Sequence, residues 1–303
     1  MTKETTQDPK KVVIFGGSGF LGSYVADELT HRGYDVVIAD IFQSPYLSDG
    51  QSFVTCDIMD PASVDSAVTG ASYVFNFAGM ADLDEAIHSP KATMELNVIG
   101  NINILEACRL EKVERFVYAS SAYAFSIRGS FYGISKLSSE KVIEEYAVRY
   151  NLPYSIVRYG SVYGERADKH NGMYRMLRQA IETGEINHKG DGEEVREYIH
   201  AGDAAILSCN LLEDEASANQ HVILTGVERF KHKDVLLMVS EIISDKVQIS
   251  YSETVIEGHY KITPYSFHPN MARKLVLTSF IDLGQGLVEC IKTIYSEIAS
   301  EKD

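Results

Sequence analysis

The chain has 303 residues, of which 45% are hydrophobic and 23% charged, so it is long enough to bury a sizeable core. This composition excludes a disordered chain and a low-complexity fibre. The formal charge of −15 disfavours nucleic acid and anionic lipid as partners, so any phosphate must be held by local groups.

The cysteines and histidines give no sign of a metal site. The four cysteines lie far apart with no C-x-x-C pair, which favours reduced, buried thiols over a zinc site or a disulfide framework. The nine histidines show no H-E-x-x-H or paired-ligand spacing. No apolar run approaches a membrane span of about 18 residues, so we expect a cytoplasmic protein that binds no membrane.

From residue 11 onward, short β-branched runs alternate with longer amphipathic stretches, which is typical of a parallel sheet covered by helices. Helical patterns fill the intervals, notably over 91–110 and 132–150. The expected fold class is therefore α/β, a doubly wound parallel sheet of the Rossmann type. Its six predicted strands cover residues 12–15, 35–40, 52–57, 73–79, 115–121 and 154–160.

This alternation ends after about Val162, where a polar, glycine-containing segment over 163–191 begins. We therefore expect a core over 10–162 and a smaller C-terminal lobe over 163–303 that returns elements to the main sheet. In this lobe the pattern predicts strands at 194–200 and 221–225 and helices at 203–212, 231–243 and 283–300.

A glycine-rich turn follows the first predicted strand. Gly16, Gly19 and Gly22 have the spacing that lets backbone N–H groups at a helix N-terminus approach a pyrophosphate. Asp40 ends the second strand, 18 residues after Gly22, where a carboxylate can accept both hydroxyls of an adenosine ribose. The pattern favours NAD over NADP. For the glycines, the alternative is an ordinary strand-to-helix turn, and for Asp40 the alternative is that it caps the following turn.

Two further segments follow predicted strands at the edge where an open α/β sheet binds its ligand. Asp57 and Ile58 follow the third strand, and Phe77, Ala78 and Gly79 follow the fourth. We interpret these residues as a rim that contacts the adenine and the nicotinamide ribose. The alternative is that they are loop residues with no role in ligand binding.

Tyr132 and Lys136 lie one helical turn apart, so their side chains share a helix face. A neighbouring ammonium stabilises a phenolate and lowers the pKa of the tyrosine, as a general base requires. A chain with 18 tyrosines contains such a pair by chance, so the pair alone is weak evidence. Ser121, at the end of the fifth strand, supplies a hydroxyl that can bond the same substrate oxygen.

Several motifs resemble those of the extended short-chain dehydrogenase/reductase family, particularly its nucleotide-sugar epimerases. They are GGSGFLG, NFAG, YASSA, YGISK, LPYSIVRYGSVYG and GDGEEVREYIHAGDAA, and the resemblance runs from about Lys11 to Asp203. It implies an NAD-binding Rossmann core over 10–162 and a nucleotide-sugar-binding lobe over 163–303. It also implies Ser121, Tyr132 and Lys136 as catalytic residues.

For the ligands, the resemblance implies that Tyr159 lies near the nicotinamide, and that Ser161 and Arg196 bind the substrate. An acidic protein needs a guanidinium to hold a diphosphate, which agrees with Arg196, although a surface ion pair with a neighbouring glutamate is the alternative. The complete predicted cofactor set is Gly16, Gly19, Phe20, Leu21, Gly22, Asp40, Asp57, Ile58, Phe77, Ala78, Gly79, Asn97, Ala119, Tyr132, Lys136 and Tyr159.

The chain departs from the family pattern at several positions. Ser161 and Glu165 stand where many nucleotide-sugar epimerases have Asn and Pro, and the stretch over 259–275 lacks an Arg-x-x-Asp pattern. Because of these two departures, the sequence does not identify the sugar or the nucleotide base of the substrate. Ala122 and Tyr123 stand where the family's dehydratases place Asp-Glu, which disfavours dehydration.

The leading prediction is an NAD-dependent epimerase that acts on a nucleotide-diphosphate hexose, at C4 through a 4-keto intermediate. A net dehydrogenase or keto-reductase with the same three residues is the alternative, and a non-catalytic NAD-binding module is the remote one. The resemblance also implies a homodimer through the helices over 91–110 and 132–150. The apolar residues Val142, Ile143 and Val148 either serve that interface or face the sheet.

Overall fold

The computed structural model describes residues 8–126, 128–243, 247–252 and 272–301. Most of the stretch over 259–275 lies outside these residues. The strands in the described part of the chain are β1 (Lys11–Phe15), β2 (Asp35–Asp40), β3 (Gln51–Thr55), β4 (Tyr73–Asn76), β5 (Arg115–Ser121), β6 (Tyr154–Tyr159), β7 (Ser161–Tyr163), β8 (Glu185–Lys189), β9 (Val195–Arg196), β10 (Tyr198–His200), β11 (Gln220–Leu224), β12 (Phe230–Lys231), β13 (Gln248–Ser252) and β14 (Arg273–Leu275).

The helices of the described residues alternate with these strands. They are α1 (Phe20–His31), α2 (Pro61–Val68), α3 (Leu83–His88), α4 (Pro90–Met94), α5 (Asn101–Glu111), α6 (Ser130–Tyr150), α7 (Gly172–Thr183), α8 (Ala201–Glu213), α9 (His232–Ile243) and α10 (Leu283–Ser300). A π-helical turn over Glu95–Gly100 joins α4 to α5, and 3₁₀ turns cover Ala122–Phe125 and Glu215–Ser217. No helix among the described residues combines the length and the apolar character that a bilayer crossing requires.

Eight strands form one parallel sheet in the order β14-β11-β6-β5-β4-β1-β2-β3. The order runs outward in both directions from β1 and β4, so the strand order reverses there, as in a doubly wound fold. The predicted fold class is confirmed. β11 and β14 come from the C-terminal part of the chain, and Val222 of β11 lies opposite Val157 of β6.

Helices cover both faces of the sheet because successive residues of each strand point to opposite sides. On β1, Val13 packs in a core with Ile104 of α5 and Ile143 of α6. Val12, its neighbour, packs on the other face with Leu29 of α1 and residues of α8. The six central strands are apolar on both faces for this reason.

The C-terminal lobe has its own apolar cluster, formed by α7, α9 and α10 around Leu177, Val235 and Leu287. The polar, glycine-containing segment over 163–191, to which the sequence analysis assigns no element, contains α7 and β8. The helix predicted over 91–110 is interrupted by the π-helical turn. A parallel pair, β7 with β10, joins the lobe to the end of β6.

Candidate active site

The turn between β1 and α1 is closed by glycines that leave no room for a side chain. Gly16 has a φ of +73°, and a Cβ there would lie 2.6 Å from the backbone nitrogen of Ala78. A Cβ on Gly22 would lie 2.3 Å from the carbonyl oxygen of Gly16. The turn therefore packs its backbone directly against both the loop after β4 and the first turn of α1.

The N-terminus of α1 presents backbone N–H groups at this turn. The helix begins at Phe20, and no side chain of the described residues caps it at Gly19. The amides of the first helical turn, which includes Phe20 and Leu21, lack carbonyl partners within the helix and attract an anion. This uncapped, side-chain-free cradle fits the pyrophosphate of a dinucleotide.

Asp40 is the last residue of β2 and lies beside the glycine turn. Its Oδ2 accepts a hydrogen bond from the Ser18 backbone N–H at 3.1 Å, and its Oδ1 accepts one from the Ile41 N–H at 2.7 Å. Burial raises the pKa of the Asp40 carboxyl, against the lowering effect of these hydrogen bonds. The Ile41 contact is the one that the capping alternative describes, and the Ser18 contact joins the carboxylate to the glycine turn.

The residues after β3 and β4 lie along the same edge of the sheet, as predicted. Asp57 is exposed and accepts a hydrogen bond from the Met59 N–H, whereas Ile58 is buried. Phe77 and Ala78 are half-buried, and the Ala78 N–H donates to the side chain of Asn76. This rim borders the glycine turn, because Gly16 touches Ala78.

Asn97, in the π-helical turn, uses its side chain to hold the loop after β4. Its Oδ1 accepts from the Met80 N–H at 2.7 Å, and its Nδ2 donates to the Met80 carbonyl at 3.0 Å and to Ser135 Oγ at 2.8 Å. Gly79, with a φ of +137°, lies so close that a Cβ would meet Asn97 Oδ1 at 2.3 Å. Asn97 therefore connects the predicted cofactor rim to α6, which carries Ser135.

Ser121 and Tyr132 are connected by the short segment between β5 and α6. Ser121 ends β5, and its Oγ accepts a hydrogen bond from the Tyr123 N–H at 3.2 Å. The ring of Tyr123 meets that of Tyr132 edge to face, with centroids 6.2 Å apart. Tyr132 is half-buried in the first turn of α6, which places its phenol at the carboxyl edge of the sheet.

Lys136 is buried one turn further along α6. Its Nζ donates to the carbonyl of Ala119 at 2.8 Å, and lies 5.8 Å from the ring centroid of Tyr132. Burial lowers the pKa of Lys136 to about 8, although the charge of Glu140 opposes this shift. The structure thus brings together the predicted tyrosine, the predicted lysine and the strand that ends in Ser121.

A buried ion pair that the sequence analysis missed anchors α6 to the sheet. Glu140, with no exposed side-chain area, accepts hydrogen bonds from Arg158 Nε at 3.0 Å and Nη2 at 2.8 Å. The Ser120 hydroxyl donates to the same carboxylate. Glu140 follows Lys136 by one turn, so the spacing Lys-x-x-x-Glu on the inward face was the available signal.

The other predicted ligand residues lie further along the sheet edge. Tyr159 is buried at the end of β6, and its hydroxyl lies 2.6 Å from Ser208 Oγ of α8, so this hydroxyl is engaged within the protein. Ser161 begins β7 and is half-buried opposite Tyr198 of β10. Arg196 lies in β9 opposite Phe230, in the C-terminal lobe.

The carboxylates around Arg196 have other partners. Glu193 pairs with Lys231 and Lys233, Glu194 lies 2.8 Å from His188, and Glu197 pairs with Arg229 and Lys274. Arg196 itself donates from Nη1 to the backbone carbonyl of Val195 at 3.2 Å. Its two predicted roles, at the diphosphate or in a surface ion pair, both stay predictions.

Glu165, which stands at the family's proline position, joins the lobe to α1. It accepts a hydrogen bond from the Tyr24 hydroxyl and lies 3.2 Å from His200 Nε2. Hydrogen bonding from His200 lowers the pKa of Glu165 to about 2, so the carboxylate is charged at neutral pH.

The comparisons with known proteins agree with this geometry. The family model described as "NAD dependent epimerase/dehydratase family" matches residues 12–226. A putative UDP-glucose 4-epimerase of Methanocaldococcus jannaschii is 30% identical over 64% of this chain and 70% of that protein. A UDP-N-acetyl-alpha-D-glucosaminuronate decarboxylase of Bacillus cytotoxicus is 27% identical over 91% and 92% of the two chains.

Among solved structures, the UDP-glucuronic acid 4-epimerase of Bacillus cereus, in complex with UDP-glucuronic acid and NAD, has a TM-score of 0.83. It is 20% identical and covers 95% of this chain and 100% of its own. The predicted family and NAD as the cofactor are confirmed. The chain belongs to the NAD dependent epimerase/dehydratase family.

Proposed function

We propose that the protein is an NAD-dependent epimerase that inverts C4 of a nucleotide-linked hexose through a 4-keto intermediate. One observation carries the proposal: Tyr132 and buried Lys136 share one face of α6, beside the strand that ends in Ser121. This arrangement has a base and a hydrogen-bond donor next to a dinucleotide cradle, as proton removal coupled to hydride transfer requires.

Each of the three residues has a distinct task in this proposal. The Tyr132 phenolic oxygen takes the proton of the C4 hydroxyl and later returns it, while Ser121 Oγ donates a hydrogen bond to the same substrate oxygen. The Lys136 ammonium favours the phenolate by its charge. When bound, NAD supplies reversible hydride acceptance at C4. Inversion requires that the 4-keto sugar turn over in the site before hydride returns to its other face.

The substrate is proposed from Arg196 and from the relatives. A guanidinium forms paired hydrogen bonds with phosphate oxygens, so Arg196 is assigned to the diphosphate, with Ser161 as a further polar contact. The relatives reported above are named for UDP-linked sugars, and we therefore expect a uridine diphosphate hexose or hexuronic acid.

Incubation of the purified protein with UDP-, GDP-, dTDP- and CDP-sugars, without added cofactor, tests the proposal. We expect catalytic formation of the C4 epimer from a UDP-sugar, with no net NADH, because an epimerase regenerates its NAD in each cycle. NADH that accumulates in proportion to enzyme, or release of carbon dioxide from a UDP-uronic acid, would replace this function with net redox or decarboxylation chemistry.

Replacement of Tyr132 by Phe removes the proposed base while it preserves the ring. We expect kcat for epimerisation to fall by roughly 10²- to 10⁴-fold, the usual contribution of general acid-base catalysis, with NAD content unchanged. Tyr146→Phe, on the same helix but hydrogen-bonded to Glu106, is the matched control and should retain activity. Full turnover by Tyr132→Phe would refute the catalytic role.

A further inference from the structure

Three side chains with metal-ligand chemistry meet in the C-terminal lobe. They are His188 of β8, Glu194 just before β9, and His232 at the start of α9. One donor atom from each lies within 4.8 Å of the others. The two imidazole rings have centroids 4.7 Å apart, and His188 Nε2 lies 2.8 Å from Glu194 Oε1.

The backbone holds this cluster in place. β9 and β12 are antiparallel, and the ladder continues beyond them through a 2.8 Å hydrogen bond from the His232 N–H to the Glu194 carbonyl. Residues opposite each other in such a ladder direct their side chains to the same face. His188 lies in the neighbouring β8–β13 pair, opposite Tyr251, whose ring meets the imidazole nearly edge-on at 6.0 Å.

His188 has an unsatisfied nitrogen that is directed into the cluster. Its side chain is only 9% exposed, and its Nε2 is buried without a hydrogen-bond partner among the described residues. Glu194 Oε1 lies 2.8 Å away without forming a hydrogen bond to this nitrogen. A buried polar atom without a hydrogen bond is costly, so this nitrogen is available to an external ligand.

His232 is oriented by a second hydrogen-bonding group. The hydroxyl of Tyr198 lies 2.9 Å from His232 Nδ1, so this nitrogen has a hydrogen-bond partner within the protein. In the tautomer in which Nδ1–H donates to that hydroxyl, Nε2 keeps the lone pair that a metal requires. Ligating histidines have their other ring nitrogen fixed in this way.

We propose that His188, Glu194 and His232 bind one divalent transition-metal ion of the zinc class. Two imidazole nitrogens and one carboxylate oxygen form a donor set that such ions prefer, whereas calcium and magnesium favour oxygen ligands. Ligands about 2 Å from a metal lie roughly 3 Å from one another, close to the His188–Glu194 separation. The ion would join β8, β9 and α9 around Arg196.

A simple imidazolium–carboxylate pair is the competing explanation of the cluster. It accounts for the proximity of His188 and Glu194, but it leaves the lack of hydrogen-bond geometry and the approach of His232 unexplained. The ligands are separated by 5 and 37 residues in the chain, which is why the histidine spacing in the sequence gives no sign of the site.

The test is metal binding by the full-length protein after treatment with EDTA. We expect one Zn²⁺ per chain by calorimetry, and a Co²⁺ visible absorption spectrum with the intensity of four-coordinate geometry. His188→Gln and His232→Gln should each weaken Zn²⁺ binding at least 10-fold and abolish that spectrum, with Glu194→Gln as the third variant should one of these fail to fold.

Two matched controls identify the site. His170→Gln removes an exposed histidine, and His200→Gln removes the histidine of a second cluster, formed with Glu165 and Glu289. Both should bind Zn²⁺ like the parent chain. The proposal is overturned if the parent takes up no Zn²⁺, if binding survives in the His188 and His232 variants, or if it is lost only in His200→Gln.

Discussion

Lys136 is the residue where burial and charge conflict most directly. Its ammonium lies in the core with one carbonyl partner and two aromatic rings nearby, those of Tyr118 and Tyr132. Burial lowers the pKa of Lys136 from 10.5 to about 8, so the folded state carries the charge at a cost when the pH is below 8. Such a cost is typical of a group kept for function rather than stability.

Lys136→Met should therefore stabilise the fold while it abolishes turnover. Below pH 8 both states of the parent bind the proton, and a shift of this size destabilises the folded state by about 3 kcal/mol. Between pH 8 and 10.5 the unfolded chain binds more protons, so the stability of the parent rises with pH. We expect Lys136→Met to be more stable at pH 7 by about 1 to 3 kcal/mol in urea unfolding.

The pH dependence provides the control for this effect. The difference between Lys136→Met and the parent should shrink as the pH rises from 8 to 10.5. A variant that is less stable than the parent at pH 7, or a difference that is independent of pH, would contradict the assignment.

At the scale of elements, α6 is fixed to the sheet by the Glu140–Arg158 pair. Glu140→Gln removes the carboxylate charge that faces the Arg158 guanidinium in the core. Loss of one partner from a buried pair costs about 3 to 5 kcal/mol, which denaturant unfolding should detect. Glu144→Gln, one turn further on at the half-exposed contact with His221, should cost less than about 1 kcal/mol. Equal losses of unfolding free energy in the two variants would mean that the buried Glu140–Arg158 pair stabilises the fold no more than the Glu144–His221 contact.

The glycine turn permits a matched pair of substitutions. Gly16 and Gly70 have φ values of +73° and +72°, but a Cβ on Gly70 would meet nothing within 4 Å. Both Gly→Ala changes carry the left-handed cost of about 1 kcal/mol, and only Gly16→Ala also pushes the Ala78 backbone away. We expect NAD content to fall in Gly16→Ala and to remain at the parental level in Gly70→Ala, measured by absorbance after denaturation. NAD content that falls equally in both would contradict a cradle at Gly16.

Some elements follow directly from the sequence and others do not. β2 and β5 have the predicted bounds, because β-branched runs flanked by polar residues mark buried parallel strands. The sequence analysis assigns no helix at α7, although its buried residues Met173, Met176, Leu177 and Ala180 have helical spacing.

The site divides in the same way. The glycine turn and the Tyr132–Lys136 pair are local motifs, whose residues are close in the structure because they are close in the sequence. The Glu140–Arg158 pair and the histidine cluster join elements that only the fold brings together, and no pattern along the chain reports their proximity. Ser121 is intermediate between the local motifs and the contacts made by the fold. The sequence predicts its place at the end of a strand, but the elements that surround it depend on the fold.

At the scale of the whole molecule, α5 and α6 carry apolar side chains that face outward. Ile143 is buried against the sheet, Val142 is partly buried against the same core, and Val148 is 77% exposed. Of these three residues, Val148 therefore fits an interface best. The exposed apolar residues of these helices and the adjoining π-helical turn are Ile99, Leu110, Phe131, Ile134, Val148 and Tyr150. Such a surface favours association with a second copy through paired helices.

The predicted homodimer can be tested by aspartate substitution on this surface. Leu110→Asp and Val148→Asp place a charge in the proposed interface, and a desolvated charge there should raise the dimer dissociation constant by roughly 100-fold or more. Light scattering should then report a monomer. Leu237→Asp, on the exposed side of α9, is the control that should leave the mass unchanged. A monomeric parent chain would refute the dimer.

The return of β11 to the sheet also has a consequence for synthesis on the ribosome. β6 is buried along its whole length and bonds β11 on one side, yet β11 is made only after β7, β8, β9, β10, α7 and α8. At about 5 to 20 residues per second, the nascent chain has an open, apolar strand edge for roughly 3 to 12 seconds. Open edges pair with other chains, so we expect β6 to be accessible to other chains until β11 has emerged.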